Sequence, residues 1–326
     1  MKLHENKEIF QDAILAASQL FGIPEIYIEK DYWVTIALQE IFNSSASEYA
    51  VFKGGTSLSK CYNIIERFSE DIDIVVFCKE EETDNQKKAK IKRISGIVKN
   101  IMPEVEIEGL TNKKGNIRKT AHKYNKLFNS AVNQIGEYVV LEVSWLGNSE
   151  PFIKSSVSSY INEMAREKGL KDLIKKYDLE PFYVQVLEIE RTFCEKILSL
   201  VRFSYTDNPY EDLANKVRHL YDIHLMLKDT KIKDFFNGAE FDNMLLKVGE
   251  DDLKSYKNSN EWLNWHPSEA IIFSNPEDTW KRIRSKYNSS FKDLVIGKLP
   301  AEDGIMNTLK IVAERLKSIK WQLKIR

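Results

Sequence analysis

The chain has little that would staple, anchor or extend it. Its three cysteines, Cys61, Cys78 and Cys194, are odd in number and widely spaced, so neither a disulfide framework nor a cysteine-ligated zinc site is indicated. Five histidines show no paired metal spacing, His219 and His224 being five apart. No segment approaches the roughly 18 consecutive apolar residues of a membrane span, and the start Met1-Lys2-Leu3-His4-Glu5-Asn6-Lys7 lacks a signal peptide's apolar stretch. The expectation is a cytoplasmic protein with no membrane partner. Internal repeats, low-complexity tracts and Pro-rich linkers are also missing. A net charge of −1 does not advertise a nucleic-acid binder. What is present, 43% hydrophobic and 30% charged residues in 326, suffices for one large or two modest domains, each with a core.

The chemistry is concentrated in Val51-Phe52-Lys53-Gly54-Gly55-Thr56-Ser57-Leu58-Ser59-Lys60 and in Phe68-Ser69-Glu70-Asp71-Ile72-Asp73-Ile74. Asp71 and Asp73 alternate with apolar residues, a β pattern that projects both carboxylates from one face, about 6.5 to 7 Å apart along the strand. Two carboxylates held so can share magnesium, whose preferred ligands are hard oxygens. Two such ions, about 3.5 to 4 Å apart, would clamp the attacking and leaving oxygens when pyrophosphate is displaced from a nucleoside triphosphate. Upstream, Tyr49 to Lys53 reads as a short strand, Gly54-Gly55 as a tight turn, and Leu58 to Ile65 as a helix that Thr56 or Ser57 can cap. Glycine admits a phosphate close to the backbone, and free amides at a helix start favour an anion. A Gly-Gly turn or an Asp-x-Asp strand edge alone is ordinary loop chemistry. Their order and spacing together are not.

Gly54-Gly55-Thr56-Ser57-Leu58-Ser59-Lys60 with Arg67-Phe68-Ser69-Glu70-Asp71-Ile72-Asp73 resembles the signature of the AbiEii/AbiGii nucleotidyltransferase toxins, within the DNA polymerase β-like nucleotidyltransferase superfamily. Ile28-Glu29-Lys30-Asp31-Tyr32-Trp33-Val34-Thr35, Glu190-Arg191-Thr192-Phe193-Cys194-Glu195-Lys196-Ile197 and Arg218-His219-Leu220-Tyr221-Asp222-Ile223 resemble further family segments. The resemblance covers about residues 5 to 230. It implies Asp71 and Asp73 as the metal pair, Gly54, Gly55 and Ser57, with Thr56 and Lys60, as the phosphate cradle, and Lys196 and Asp222 as motif residues that contact the nucleotide or orient the site. A third carboxylate is common in the superfamily, and Glu142, in an apolar strand, fits that place because a charge there must be paired, exposed or metal-bound. Each has a plainer alternative. Glu142 can be an outward strand residue, Lys60 a solvated helix lysine, and Arg191/Glu195 and Arg218/Asp222 are spaced four apart like surface ion pairs.

The pattern along the chain predicts an α+β protein: a small mixed-sheet nucleotidyltransferase core flanked by helices, with a mostly helical C-terminal half. Helices are expected over 5–21, 24–43, 85–101, 157–168, 170–177, 189–203 and 210–227. Strands are expected near 105–108, 116–126 and 138–146, with a short apolar stretch at 182–187. The expected division is 1–180 for the core with its N-terminal helices and 181–326 for a helical domain contributing to the active-site cleft. Trp262, Trp265, Trp280 and Trp321 are spaced for core packing.

The leading expectation is an enzyme that moves a nucleoside monophosphate from an NTP to an acceptor hydroxyl with two Mg²⁺ ions, Asp71 or Asp73 bridging both. The family context implies RNA, notably the tRNA 3′ end, as acceptor, and a toxin role in a toxin–antitoxin or phage-defence system with a cognate antitoxin protein. Two basic runs could hold an RNA backbone or be solvated faces: Lys113, Lys114, Arg118, Lys119, His122, Lys123 and Lys126, and Lys87, Lys88, Lys90, Lys92 and Arg93. The alternatives are transfer to a protein or small molecule, and a nucleotide-binding regulatory protein without turnover.

Overall fold

A computed structural model describes residues 1–69, 71–128, 137–255 and 260–323. Glu70, part of the signature quoted above, lies outside the described residues. The chain divides into two units. One comprises Met1–Cys61, Phe68–Trp145 and Phe152–Val186, and the other Tyr62–Arg67, Leu146–Pro151 and Leu187–Arg326.

The first unit is built on a mixed seven-stranded sheet of order β3-β4-β5-β2-β1-β7-β6. The strands are β1 (Ala50–Lys53), β2 (Asp71–Val76), β3 (Glu104–Val105), β4 (Ile117–Lys123), β5 (Tyr138–Ser144), β6 (Phe152–Val157) and β7 (Phe182–Leu187). β2 runs antiparallel to β1 and parallel to β5, and β4 runs antiparallel to β5. One face carries Phe52, Ile72, Ile74, Val139, Leu141 and Val143, all buried. The helices of this unit are α1 (Lys7–Phe21), α2 (Glu25–Phe42), α3 (Gly54–Lys60), α4 (Asp84–Lys99), α5 (Tyr160–Glu167) and α6 (Lys171–Lys176). Thr83 and Gln86 form a reciprocal capping box at the start of α4. Ile91, Ile94 and Val98, at the helical spacing of three and four, are its buried face.

The segment expected as a helix over 157–168 is divided. β6 ends at Val157 and α5 begins at Tyr160, where the Ser159 side chain accepts from Asn162 N. A Ser cap set against an apolar strand residue ends one periodicity and begins the other. The helix expected over 210–227 is likewise two, α8 (Pro209–Ala214) and α9 (Val217–Met226).

The second unit is helical. It holds α7 (Ile189–Phe203), α8, α9, α10 (Thr230–Asn237), α11 (Ala239–Ser255), α12 (Ile271–Ser274), α13 (Pro276–Lys286) and α14 (Glu302–Lys317). Phe193, Phe236 and Phe241 pack edge to face or tilted at its centre. Trp262 and Trp280 are buried as expected, but Trp265 is 54% exposed and stacks on Tyr205. Aromatic spacing alone does not report which face a short 3₁₀ segment turns inward. The architecture is the α+β one that the sequence predicts, and among the described residues no helix is long and apolar enough to cross a membrane.

Buried histidine gives the fold an acid limit. His122 on β4 is fully buried, its ring between Thr120 Oγ1 (2.8 Å) and the Met102 carbonyl (3.2 Å). Burial pushes it below its ordinary value of 6.5, as it does His4, His219 and His224. A depressed folded-state pKa leaves the stabilisation whole above about 6.5 and removes it as pH falls further. Thermal unfolding should therefore move to lower temperature between pH 7.5 and pH 5 at constant ionic strength, and His122→Gln should flatten that dependence. An equal slope in the variant would remove His122 from the account.

Candidate active site

β1 is buried through Phe52, Lys53 is fully extended, and Gly54 turns with φ +81°, so that α3 starts at Gly54 itself. The helix therefore begins four residues before the expected Leu58. Thr56 and Ser57 lie inside its first turn and do not cap it. Their hydroxyls bind backbone instead: Ser57 Oγ donates to Gly54 O at 2.8 Å, and Thr56 Oγ1 donates to Asp71 O and lies 3.0 Å from Ser69 Oγ. Thr56 thus ties the helix to the start of the Asp-x-Asp strand. Lys60 is neither solvated nor directed at the turn, since its ammonium is paired with Asp31 at 2.6 Å and donates to Ser158 O at 3.1 Å.

Asp71 and Asp73 are half-buried on one face of β2, opposite the buried Ile72 and Ile74. The register sets Lys53, Asp73, Glu142 and Lys119 in one row across β1, β2, β5 and β4. Residues paired in register share a face, so two adjacent carboxylates, Asp73 and Glu142, cross the sheet on Asp73's side with a lysine on either flank. Glu142 Oε2 lies 3.4 Å from Lys119 Nζ, a cross-strand pair worth about 0.2–1 kcal/mol.

Gly54 is where the two motifs meet. A Cβ added there would lie 2.0 Å from Asp73 Oδ2 and 2.9 Å from its Cγ, so only glycine leaves that carboxylate in place. Gly54→Ala should lose about 1–2 kcal/mol for a side chain in the left-handed region. It should lose on the order of 10²-fold in transfer, because Asp73 must move by about an ångström. Urea unfolding and a transfer assay on the same preparation separate the two, and undiminished transfer would show that Asp73's position is not critical.

In the second unit, Asp222 on α9 is fully buried. Arg67 grips it with both prongs, Nε to Oδ1 at 2.7 Å and Nη2 to Oδ2 at 2.8 Å, while Lys196 Nζ on α7 donates to Oδ2 at 2.7 Å. Burial alone would raise this carboxyl, but the two cations outweigh it and hold Asp222 at about 2. Burial also pulls Lys196 below the usual lysine value, against the attraction of Asp222. The Arg218–Asp222 surface pair that their spacing allowed does not describe Asp222. Arg191 is not a surface residue either: it is buried, pairs with Glu195 at 3.3 Å and also reaches Asp251 at 2.8 Å.

Arg67, which grips the candidate residue Asp222, was not singled out by sequence reasoning. It stands in the quoted signature, yet no local spacing links it to a carboxylate 155 residues away. The only available signal was its place in that signature, four residues before the strand that carries both carboxylates.

The first basic run is largely neutralised. Lys113 pairs with Glu104 at 2.6 Å and Glu106 at 2.9 Å, Arg118 with Glu104 at 3.3 Å, and Lys123 with Glu137 at 3.4 Å. His122 points into the core. In the other run Lys90 pairs with Glu82 at 2.5 Å. Alternation along β4 sends neighbouring residues to opposite faces, so a run of basic letters is not a basic patch.

The nucleotidyl transferase AbiEii toxin family of type IV toxin–antitoxin systems matches residues 36–308. The chain belongs to that family, and it is accordingly an NTP-dependent nucleotidyltransferase of a toxin–antitoxin class. Among solved structures it is similar to MenT4, a nucleotidyltransferase toxin from Mycobacterium tuberculosis H37Rv, at 16% identity over 92% of this chain and 98% of that one, with a TM-score of 0.45. No curated protein matches.

Proposed function

We propose that this enzyme moves a nucleoside monophosphate from an NTP to a hydroxyl of RNA, the tRNA 3′ end above all, with Mg²⁺ held by Asp71 and Asp73, as a toxin restrained by a cognate antitoxin and serving phage defence. In this reading the transfer core spans residues 1–180 and a helical domain 181–326. The observation that carries it is the packing of Gly54 against Asp73, which joins a phosphate-approachable turn to a carboxylate pair on one strand face.

The donor set fits the ion. Among the described residues no group of three His, Cys, Asp or Glu side chains is gathered to hold a metal alone. Mg²⁺ is ordinarily bound through one or two carboxylates completed by substrate phosphates and water. When bound, the metal would neutralise charge on the triphosphate oxygens. The residues do the rest. Gly54 and Gly55 let the backbone approach the triphosphate, with Thr56 and Ser57 fixing the turn. Lys196 supplies positive charge to the nucleotide and Asp222 orients it. Glu142 is the candidate for readying the acceptor hydroxyl, its charge balanced by Lys119. Lys60, committed to Asp31, braces α3 in this reading.

The test is incubation with Mg²⁺, each of the four labelled triphosphates in turn and total cellular RNA, resolved on a denaturing gel. Label in tRNA-sized bands supports the reading and names the nucleotide. Label in an RNase-resistant protein band, or triphosphate binding without pyrophosphate release, overturns the RNA acceptor or the turnover respectively.

A further inference from the structure

The Asp222 carboxylate is shared by two cations, but they hold it differently. Lys196 reaches one oxygen, whereas Arg67 takes both oxygens side-on. A bidentate fork fixes the plane of a carboxylate as well as its position, and a point-charge ammonium does not. All three groups are out of water, with side-chain exposures of 3% for Arg67, 8% for Lys196 and none for Asp222.

Arg67 is itself fixed through its backbone. It forms an isolated antiparallel bridge with Val295, and the preceding Glu66 carbonyl accepts from Ile296 N at 2.8 Å and Gly297 N at 3.2 Å. A Cβ on Gly297 would fall 1.8 Å from Glu66 Oε2, so the two segments lie flush. Tyr221, next to Asp222, packs on Phe291 from the same C-terminal stretch. The guanidinium is thus carried on a short strand-like brace, not on a wandering loop.

We propose that Arg67 is a positioning residue for nucleotidyl transfer: by clamping both oxygens of Asp222 it fixes the point at which the Lys196 ammonium is held. This rests on the reading that Lys196 serves the nucleotide. Without the fork, the carboxylate turns about its own side-chain bond and Lys196 follows it. The charged groups felt at Lys196 are Asp222, Arg67 and Arg218, and the neighbouring His219 is neutral by burial. Asp222 favours the lysine's charge and the two arginines oppose it. Removing Arg67 therefore displaces Lys196 and also makes it harder to deprotonate.

The test measures pyrophosphate release from NTP in the presence of Mg²⁺ and total cellular RNA, across pH, for wild type, Arg67→Gln, Arg67→Lys and Lys196→Met, each corrected for its folded fraction. The expected result is a kcat lower by about 10- to 100-fold in both Arg67 variants, of the order seen when outer partners of a functional group are lost. The alkaline limb of the profile should move to higher pH in Arg67→Gln and stay in Arg67→Lys, which keeps the charge without the fork. A brace that only supports folding would leave both kcat and the limb of the folded fraction at wild-type values, and that outcome overturns the proposal. If Arg67→Gln does not fold, Arg67→Lys decides it, wild-type kcat being the refuting result. Full activity in Lys196→Met would instead refute the reading beneath it, whereas an inactive Lys196→Met beside normal Arg67 variants refutes the positioning role alone.

Discussion

Asp71→Asn should abolish transfer and leave a folded protein. The substitution keeps the shape of the side chain and removes the charge that the proposed metal would require of it. Several kcal/mol of transition-state stabilisation are attributable to a bound metal, and at about 1.36 kcal/mol per tenfold the loss is on the order of 10²- to 10⁴-fold. Asp71 is half-buried at the start of β2, and its backbone carbonyl, which the substitution keeps, is what Thr56 binds. The change in stability should accordingly stay within about 1 kcal/mol. Transfer of label and thermal unfolding, run on one preparation, give both numbers. Asp71→Asn combined with Asp73→Asn should be little worse than either alone, since residues that act as a unit are not additive. A folded Asp71→Asn enzyme retaining more than a tenth of wild-type transfer would sink the metal-pair assignment.

Asp222→Asn should have the largest effect on stability. It leaves the Arg67 and Lys196 cations buried beside a neutral amide, and breaking a buried ion pair from one side costs about 3–5 kcal/mol, a large part of the roughly 5–15 kcal/mol that holds a typical protein folded. The sign of the pH dependence follows from the depressed folded-state value of about 2 against an ordinary 3.8. The contribution of Asp222 is whole above about 3.8 and disappears only as pH falls through 2. Between pH 8 and pH 5 the deficit of the variant should therefore be constant, unlike the histidine effect. Replacing all three charged groups by Leu, Met and Leu at 67, 196 and 222 should recover much of the stability without restoring transfer. Chemical denaturation of the single and triple variants decides the matter, and a single-variant loss under about 1 kcal/mol would show that the triad is far better hydrated than its burial indicates.

Legibility in the sequence followed the range of each interaction. Strand β2 is short, alternating over Asp71–Ile74 and rich in β-branched residues, and the shared face of Asp71 and Asp73 could be read directly. Helix α7, with an apolar stripe between Ile189 and Phe203, was equally plain. The start of α3 was missed because a positive-φ glycine let the helix begin within the turn, where sequence rules place a cap. β6 was missed because Phe152, Ile153 and Lys154 are all exposed, which erases the alternation that marks a half-buried strand. For the candidate site, local pattern found the turn and the carboxylates. It found neither the register that sets Glu142 beside Asp73 nor Arg67's grip on Asp222, because both depend on pairings between distant segments.

That last pairing bears on when the enzyme comes into being. Asp222 follows Arg67 by 155 residues, and a ribosome adding about 5–20 residues per second needs roughly 8–30 s to cover that distance. Val295, the backbone partner of Arg67, emerges later still. For nearly all of that interval the nascent chain already carries the glycine turn and both strand aspartates, but not Asp222. In the positioning role proposed for Arg67, competence for transfer follows the synthesis of both Asp222 and Val295.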